Sequence, residues 1–341
     1  MDQKVRTLAL SAFTVAALAC AKPSHAGDET VSTKPADQAS AGPQVDAALP
    51  AYQKVEGELS GTLNAVGSDT MINIVTNWGE AFGRIYPGVK VQVEGKGSST
   101  APPALIEGSC QLGPMSREMK PEELNAFEGR HGYKPLRLKT CLDALAIFVN
   151  KDNPLTSISL KQADAIFSST RKKGGDEIVK WGQLGLGGEF ADAPITIYGR
   201  NSASGTYQYF KEKVLEKGDF RDNVKEQPGS SGVVDGISQD RFAIGYSGIG
   251  YATSGVKTLS LTYKEGGTAY RPSLGNVVAE QYPLGRFLNV YVNKAPNAPL
   301  DPKVGEFFKF VFSKEGQEIV AKEGFLPLTE KLAAPERAKV Q

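Results

Sequence analysis

The chain has 341 residues, more than one hydrophobic core of usual size holds, so two folded units with terminal extensions are expected and a small disulfide-stapled scaffold is excluded. Hydrophobic residues at 40% and charged residues at 23% give the balance of a folded soluble protein. With 39 Lys and Arg against 38 Asp and Glu the formal charge is +1, so no whole-molecule field draws in nucleic acid or an anionic membrane, and any anion must be caught locally.

In chain order, Lys4 and Arg6 precede an apolar run over 8–19, too short to span a bilayer as a permanent helix and fitting a secretory leader over 1–26. Two processing sites compete: Ser24-His25-Ala26 is a small-x-small cleavage signal, and Ala17-Leu18-Ala19-Cys20 resembles a bacterial lipobox that would place a lipid anchor at Cys20. That anchor is the one expected membrane attachment. Residues 27–58 are rich in Asp, Ser, Thr, Pro, Gln and Ala without an apolar period, and are expected to form a disordered tether with a reach on the order of 30 Å.

The folded part alternates strands and helices. Met71, Ile74, Trp78, Phe82 and Ile85 recur at helical spacing until Pro87-Gly88, and Val89, Val91 and Val93 alternate as a strand. Pro102-Pro103 and Pro121 mark two further helix starts. The runs 142–149, 194–198, 242–246 and 287–292 read as strands, which makes the chain an α/β protein. Of two histidines, His25 lies in the leader and His131 in the turn-like Gly-Arg-His-Gly-Tyr, where it is expected exposed and without a role. A His-built zinc cage or catalytic centre is therefore not expected, nor is any cofactor. Cys110 and Cys141, the pair left after the leader in an oxidising compartment, form a disulfide candidate, with two buried thiols as the alternative.

Three helices open on hydroxyl-rich turns: Gly67-Ser68-Asp69-Thr70, Gly97-Ser98-Ser99-Thr100 and Ser202-Ala203-Ser204-Gly205-Thr206. Helix N-termini present backbone N–H groups and the positive end of the dipole, and neighbouring hydroxyls add donors, so they seat an anion without net charge. Taken singly, each is an ordinary capped helix. Three in one chain, with Arg200 four residues ahead of Ser204, point to a shared ligand, and Arg200 supplies a permanently charged fork that binds two oxygens of a tetrahedral oxyanion.

On these segments, together with Gly113-Pro114-Met115-Ser116-Arg117, the 242–246 strand and the return segment 282–293, the chain resembles the phosphate-specific periplasmic binding proteins of ABC importers over residues 59–328. The resemblance implies a two-lobed α/β type II periplasmic binding protein fold, with a discontinuous first lobe over 59–148 plus 288–341, a second lobe over 149–287, and a ligand cleft between them. It implies that Thr70, Met71 and Ser98 meet inorganic phosphate from one lobe, and Arg200, Ser204, Gly205 and Thr206 from the other. Ser116 stands where many members carry an aspartate that accepts a hydrogen bond from protonated phosphate; Asp69 as the acceptor, or Arg117 as added positive charge, are two ways to meet that departure. Ser202 stands where members often carry an aspartate bracing the arginine, so Arg200 is expected to be held differently. A monomer delivering phosphate to the membrane permease of an ABC importer follows, with another tetrahedral oxyanion, or a sensing or adhesion protein on the same fold, as alternatives. An enzyme on phosphate esters would need a nucleophile beside a base or a metal cluster, and a nucleotide-binding ATPase would need a Gly-x-x-x-x-Gly-Lys-Ser/Thr loop; the sequence offers neither.

Overall fold

The computed structural model describes residues 43–340. The expected leader, Cys20 with both processing sites, and tether residues 27–42 lie outside the described residues. The chain then runs β1 (Ser60–Val66), α1 (Ile72–Ile85), β2 (Gly88–Glu94), α2 (Ala101–Glu107), β3 (Gly113–Met115), α3 (Pro121–His131) and β4 (Leu136–Asn150). Next come β5 (Ser157–Ser159), α4 (Leu160–Phe167), β6 (Thr196–Arg200), α5 (Gly205–Lys213), β7 (Lys225–Gln227), α6 (Ser230–Gln239), β8 (Ala243–Gly248), β9 (Val256–Thr258), β10 (Ser260–Thr262) and α7 (Leu274–Val278). The last elements are β11 (Gly285–Val292), α8 (Pro302–Val311), α9 (Lys314–Lys322) and α10 (Glu330–Ala338).

The local signals act where the sequence places them. α1 buries Ile74, Val75, Trp78 and Phe82 on one face and ends at Tyr86, ahead of Pro87. Both Pro-initiated helices end on glycines in the left-handed conformation, Gly108 after α2 and Gly132 after α3. His131 differs from its expected exposed loop position: it closes α3, with its ring 4.4 Å from that of Phe127.

β1 and β2 pair in parallel, and the main sheet runs β3-β11-β4-β8-β6-β7, with β9 also on β4. β4 organises the molecule. Its first part pairs antiparallel with β11, from Leu136↔Val292 to Ala144↔Gly285, and its last part pairs with β8 and β9. The 142–149 run that signalled a strand is wholly buried, as a strand covered on both faces must be. Only β4 and β11 carry the chain between the elements of 60–135 and those of 151–278.

Two further expectations change. Cys110 and Cys141 are free: Cys110 packs among Ala104, Leu105 and Phe127 near α2 and α3, whereas Cys141 lies in β4 within the main core. The even count reflects two separate buried positions, not a bridge. Burial pushes the Cys110 thiol up to about 11 and that of Cys141 higher, so both stay protonated and unreactive at neutral pH.

The second change is that residues 43–58, expected within the disordered tether, strap the C-terminal helices. Leu49 is buried, the Tyr52 N–H donates to Glu315 Oε2 at 2.7 Å, and Lys314 N–H donates to the Pro50 carbonyl at 2.9 Å. The Tyr52 hydroxyl donates to buried Glu306 and lies 3.0 Å from the Tyr86 hydroxyl. One leucine and one tyrosine, fixed mainly through polar bonds, leave no periodic signal in the sequence. Tyr52→Phe removes the hydroxyl from this cluster, and a fall in unfolding free energy of about 1–3 kcal/mol in urea titration is expected; an unchanged midpoint would show that the strap contributes no stability through it.

Candidate functional site

The three hydroxyl-rich turns meet at one place, and backbone bonds bring them there. Gly67 N–H donates to the Glu94 carbonyl, Ser68 N–H to Pro114 and Gly97 N–H to Gly67, at 2.8–2.9 Å, which ties the turns after β1, β2 and β3 together. The turn before α5 approaches from the other side of the β4–β11 crossing, where Ser99 N–H donates to the Ala203 carbonyl at 3.2 Å. That approach needs glycine at two positions. Gly97 has φ +117°, and a Cβ there would come within 2.6 Å of the Ala203 carbonyl oxygen. A Cβ on Gly205 would collide with the Ser98 and Ser116 hydroxyls.

The result is a buried hydroxyl cluster. Thr70, Ser98, Ser116, Ser204 and Thr206 are all buried, as are Met71 and Gly205. Thr70 Oγ1 lies 2.9 Å from Thr206 Oγ1, and Ser98 Oγ lies 3.2 Å from Ser116 Oγ while accepting the Ser116 N–H at 3.0 Å. Ser204 caps α5, its Oγ accepting from the N–H groups of Thr206 and Tyr207, which leaves the hydroxyl proton to donate elsewhere.

Arg200, at the end of β6, is 1% exposed. Its Nη1 donates to Ser230 Oγ at 2.6 Å, and its Nη2 donates to the Pro228 carbonyl at 2.9 Å and sits 3.1 Å from Asp69 Oδ2. Burial lowers its pKa and Asp69 opposes that shift; the group remains a cation. Arg200 Nε is buried with no hydrogen-bond partner. The brace that sequence reasoning sought near exposed Ser202 therefore comes from Asp69, Ser230 and Pro228.

The other two candidates are engaged. Asp69 Oδ2 accepts from the N–H and Oγ of Ser230, each at 2.8 Å, besides facing Arg200. Arg117 forms a two-pronged pair with Glu123 at 2.7 and 2.6 Å, so its charge is largely neutralised by a residue six positions along the chain.

Sequence reasoning missed a second buried arginine. Arg286 in β11 donates from Nε and Nη2 to Asp143 Oδ2 at 2.9 and 2.7 Å, from Nη1 to the Ser116 carbonyl at 2.8 Å, and from Nη2 to Thr206 Oγ1 at 2.9 Å. Asp143, directly across from it on β4, also accepts the Ile249 N–H at 3.0 Å. Arg286 thus touches turns from both sides of the crossing strands. Asp143 was visible as the one charge inside the apolar 142–149 run, and Ser230-Ser231 after Pro228-Gly229 repeats the hydroxyl-rich helix start found three times elsewhere. A groove of about 1020 Å³ is bordered by Arg117, Lys120, Ser202, Gln208 and Arg286, while neither Arg200 nor the buried hydroxyls line it.

Chemically, the cluster offers hydroxyl donors, the first N–H groups of helices and the Arg200 guanidinium with its Nε unpartnered. Its two aspartates each face an arginine. Such a set binds a multivalent oxyanion.

The chain is similar to known proteins. The PBP superfamily domain matches residues 52–315. The phosphate-binding protein PstS of Pseudomonas aeruginosa is 55% identical over 296 residues, which cover 86% of this chain and 91% of that protein. A phosphate ABC transporter substrate-binding protein of Clostridium perfringens, solved with bound phosphate, matches with a TM-score of 0.67 at 25% identity, covering 79% of this chain and 100% of that one. An ABC-type phosphate transport receptor of Vibrio cholerae matches with a TM-score of 0.61 at 21% identity, over 78% of this chain and all of that one. The α/β type II periplasmic binding protein fold read from the sequence is the fold these structures share.

The Arg286–Asp143 pair has a measurable signature. Arg286→Met leaves Asp143, 0% exposed, without its counter-charge and is expected to lower unfolding free energy by about 3–5 kcal/mol. Pairing it with Asp143→Leu should restore much of that loss; strictly additive losses in the double-mutant cycle would show that the two side chains are not coupled.

Proposed function

The chain belongs to the PBP superfamily, and within it to the family of the phosphate-binding proteins PstS; from that premise we propose that it binds inorganic phosphate outside the cytoplasm and hands it to the membrane permease of an ABC importer. It acts as a binding protein and not as an enzyme, exported by its leader and working as a monomer, with Cys20 as its one candidate site for a lipid anchor. One lobe comprises residues 59–148 with 288–341, the other 149–287, and the ligand lies between them.

The observation that carries this reading is the buried Arg200 with its Nε unpartnered, set among hydroxyl-rich helix starts from both sides of the crossing strands. Thr70 and Met71 open α1, Ser98 precedes α2, and Ser204, Gly205 and Thr206 open α5, so each contributes donors from a helix N-terminus. A dehydrated dianion needs every oxygen supplied with donors, because each unmatched polar group costs about 1–3 kcal/mol. Planar or differently sized anions fail by geometry. Closure also gives the permease its signal, since ligand favours the shut arrangement.

Selectivity against sulfate depends on what meets the phosphate proton. Ser116 brings a hydroxyl to the cluster and no charge, and the carboxylates of Asp69 and Asp143 are turned to arginines. A hydroxyl accepts from protonated phosphate, yet it can rotate and donate to sulfate. Sulfate should therefore bind more weakly than phosphate, by a smaller margin than a facing carboxylate would enforce.

Calorimetric titration of the mature protein tests both statements. Saturable phosphate binding with weaker sulfate binding is expected, and equal affinities would remove Ser116 as the proton acceptor. Arg200→Ala should weaken phosphate binding by about 1.5–3 kcal/mol, the range for hydrogen bonds to charged groups; unchanged affinity in a folded variant would remove Arg200 from the site.

A further inference from the structure

The arginine that carries the site is not braced by its own lobe alone. Asp69 precedes α1 in the first lobe, whereas Arg200, Pro228 and Ser230 belong to the second, so the Asp69–Arg200 pair at 3.1 Å and both Asp69–Ser230 hydrogen bonds at 2.8 Å cross the cleft. Ser230 N–H is the first of α6, whose N-cap, Gly229, has no side chain to cap with. Asp69 supplies that missing cap from the opposite lobe. The fit is close: a Cβ on Gly229 would come within 3.2 Å of Asp69 Oδ1. Tyr251, also of the second lobe, adds a hydroxyl donated to the Asp69 carbonyl at 2.9 Å.

We propose that Asp69 is a positioning residue that reaches across the cleft to cap α6 and brace Arg200, so that the arginine takes its ligand-binding orientation only when the lobes are shut. The inference rests on the phosphate-binding reading above. In the open form, α6 has a bare N-terminus, and Arg200 keeps Ser230 and Pro228 but loses its counter-charge. Shutting the cleft restores both contacts at once, through a carboxylate that lies where the N-terminal dipole and the guanidinium both favour it. With Nη1 held by Ser230 and Nη2 by Pro228 and Asp69, the unpartnered Nε side of the guanidinium is left for the anion. Asp69 then acts through Arg200 and α6, not by touching the ligand.

This separates Asp69 from a direct acceptor of the phosphate proton, because bracing affects every anion that Arg200 holds. Stopped-flow association and dissociation of phosphate and sulfate, at fixed ionic strength, are compared for wild type, Asp69→Asn and Ser230→Ala, with thermal melting as the folding control. Both variants should release phosphate about 10- to 100-fold faster, with association changed by no more than about threefold, as expected when a buried charge-assisted contact is truncated. The phosphate-to-sulfate affinity ratio should stay within about threefold of wild type, since the brace does not read the ligand's proton. Small-angle scattering without any anion should show Asp69→Asn shifted to a larger radius of gyration. Unchanged release and unchanged scattering would overturn the proposal, and a selective loss of phosphate over sulfate in Asp69→Asn would replace it with direct proton acceptance. Slower association at constant release would also overturn it. Failure of wild type itself to bind phosphate would sink the functional reading, whereas the anion-free scattering comparison would still judge the brace.

Discussion

A guanidinium that is 1% exposed sets the terms for this structure. Removing such a cation from water is costly unless partners replace its hydration, and each part left unmatched adds to that cost. Around Arg200 the partners come from three segments: a serine that starts α6 with the Pro228 carbonyl just before it, an aspartate that precedes α1, and the Tyr246 hydroxyl, which accepts the backbone N–H of Arg200 at 3.3 Å. Burial raises the pKa of Tyr246, which keeps that hydroxyl neutral. The remaining donor, Nε, is buried without a hydrogen-bond partner.

The same requirement is met a second time on the crossing strands. Arg286 and Asp143 are directly opposed on β11 and β4, and the arginine extends from there to Ser116 on one side and Thr206 on the other. The two arginines and two aspartates balance in charge, so the positive character of the site rests on dipoles and oriented hydroxyls more than on net charge. That is the economical arrangement for a carrier that must release its ligand: a surplus of fixed cations would hold the anion in water as well as in the cleft. It also fits a chain whose formal charge is only +1.

Much of this was legible in the sequence because local rules dominate where the chain turns. Helix-start prolines, glycines with positive φ and hydroxyl caps write their signals in consecutive residues, so α1, α2, α3 and α5 and the turns before them were readable. So was Arg200, standing beside such a turn. What escaped depends on pairs distant in sequence. Arg286 and Asp143 are 143 residues apart, and each alone resembles a polar interruption of a strand. Asp69 was noticed, but its role follows from Ser230, 161 residues away. The strap over 43–58 was invisible for a related reason: its composition is that of a tether, and its order comes from hydroxyl and carboxylate groups on α8 and α9. The two cysteines mislead by count, since parity in a sequence says nothing about distance.

Whether these turns enclose one dehydrated tetrahedral anion is decided by a crystal structure of the mature protein grown with phosphate. A phosphate is expected at hydrogen-bond distance, about 2.7–3.1 Å, from Arg200 Nε, from the hydroxyls of Ser98 and Thr206, and from first-turn N–H groups of α1, α2 and α5. Phosphate density confined to the outer groove beside Lys120 and Gln208, with Arg200 Nε still unpartnered, would contradict it.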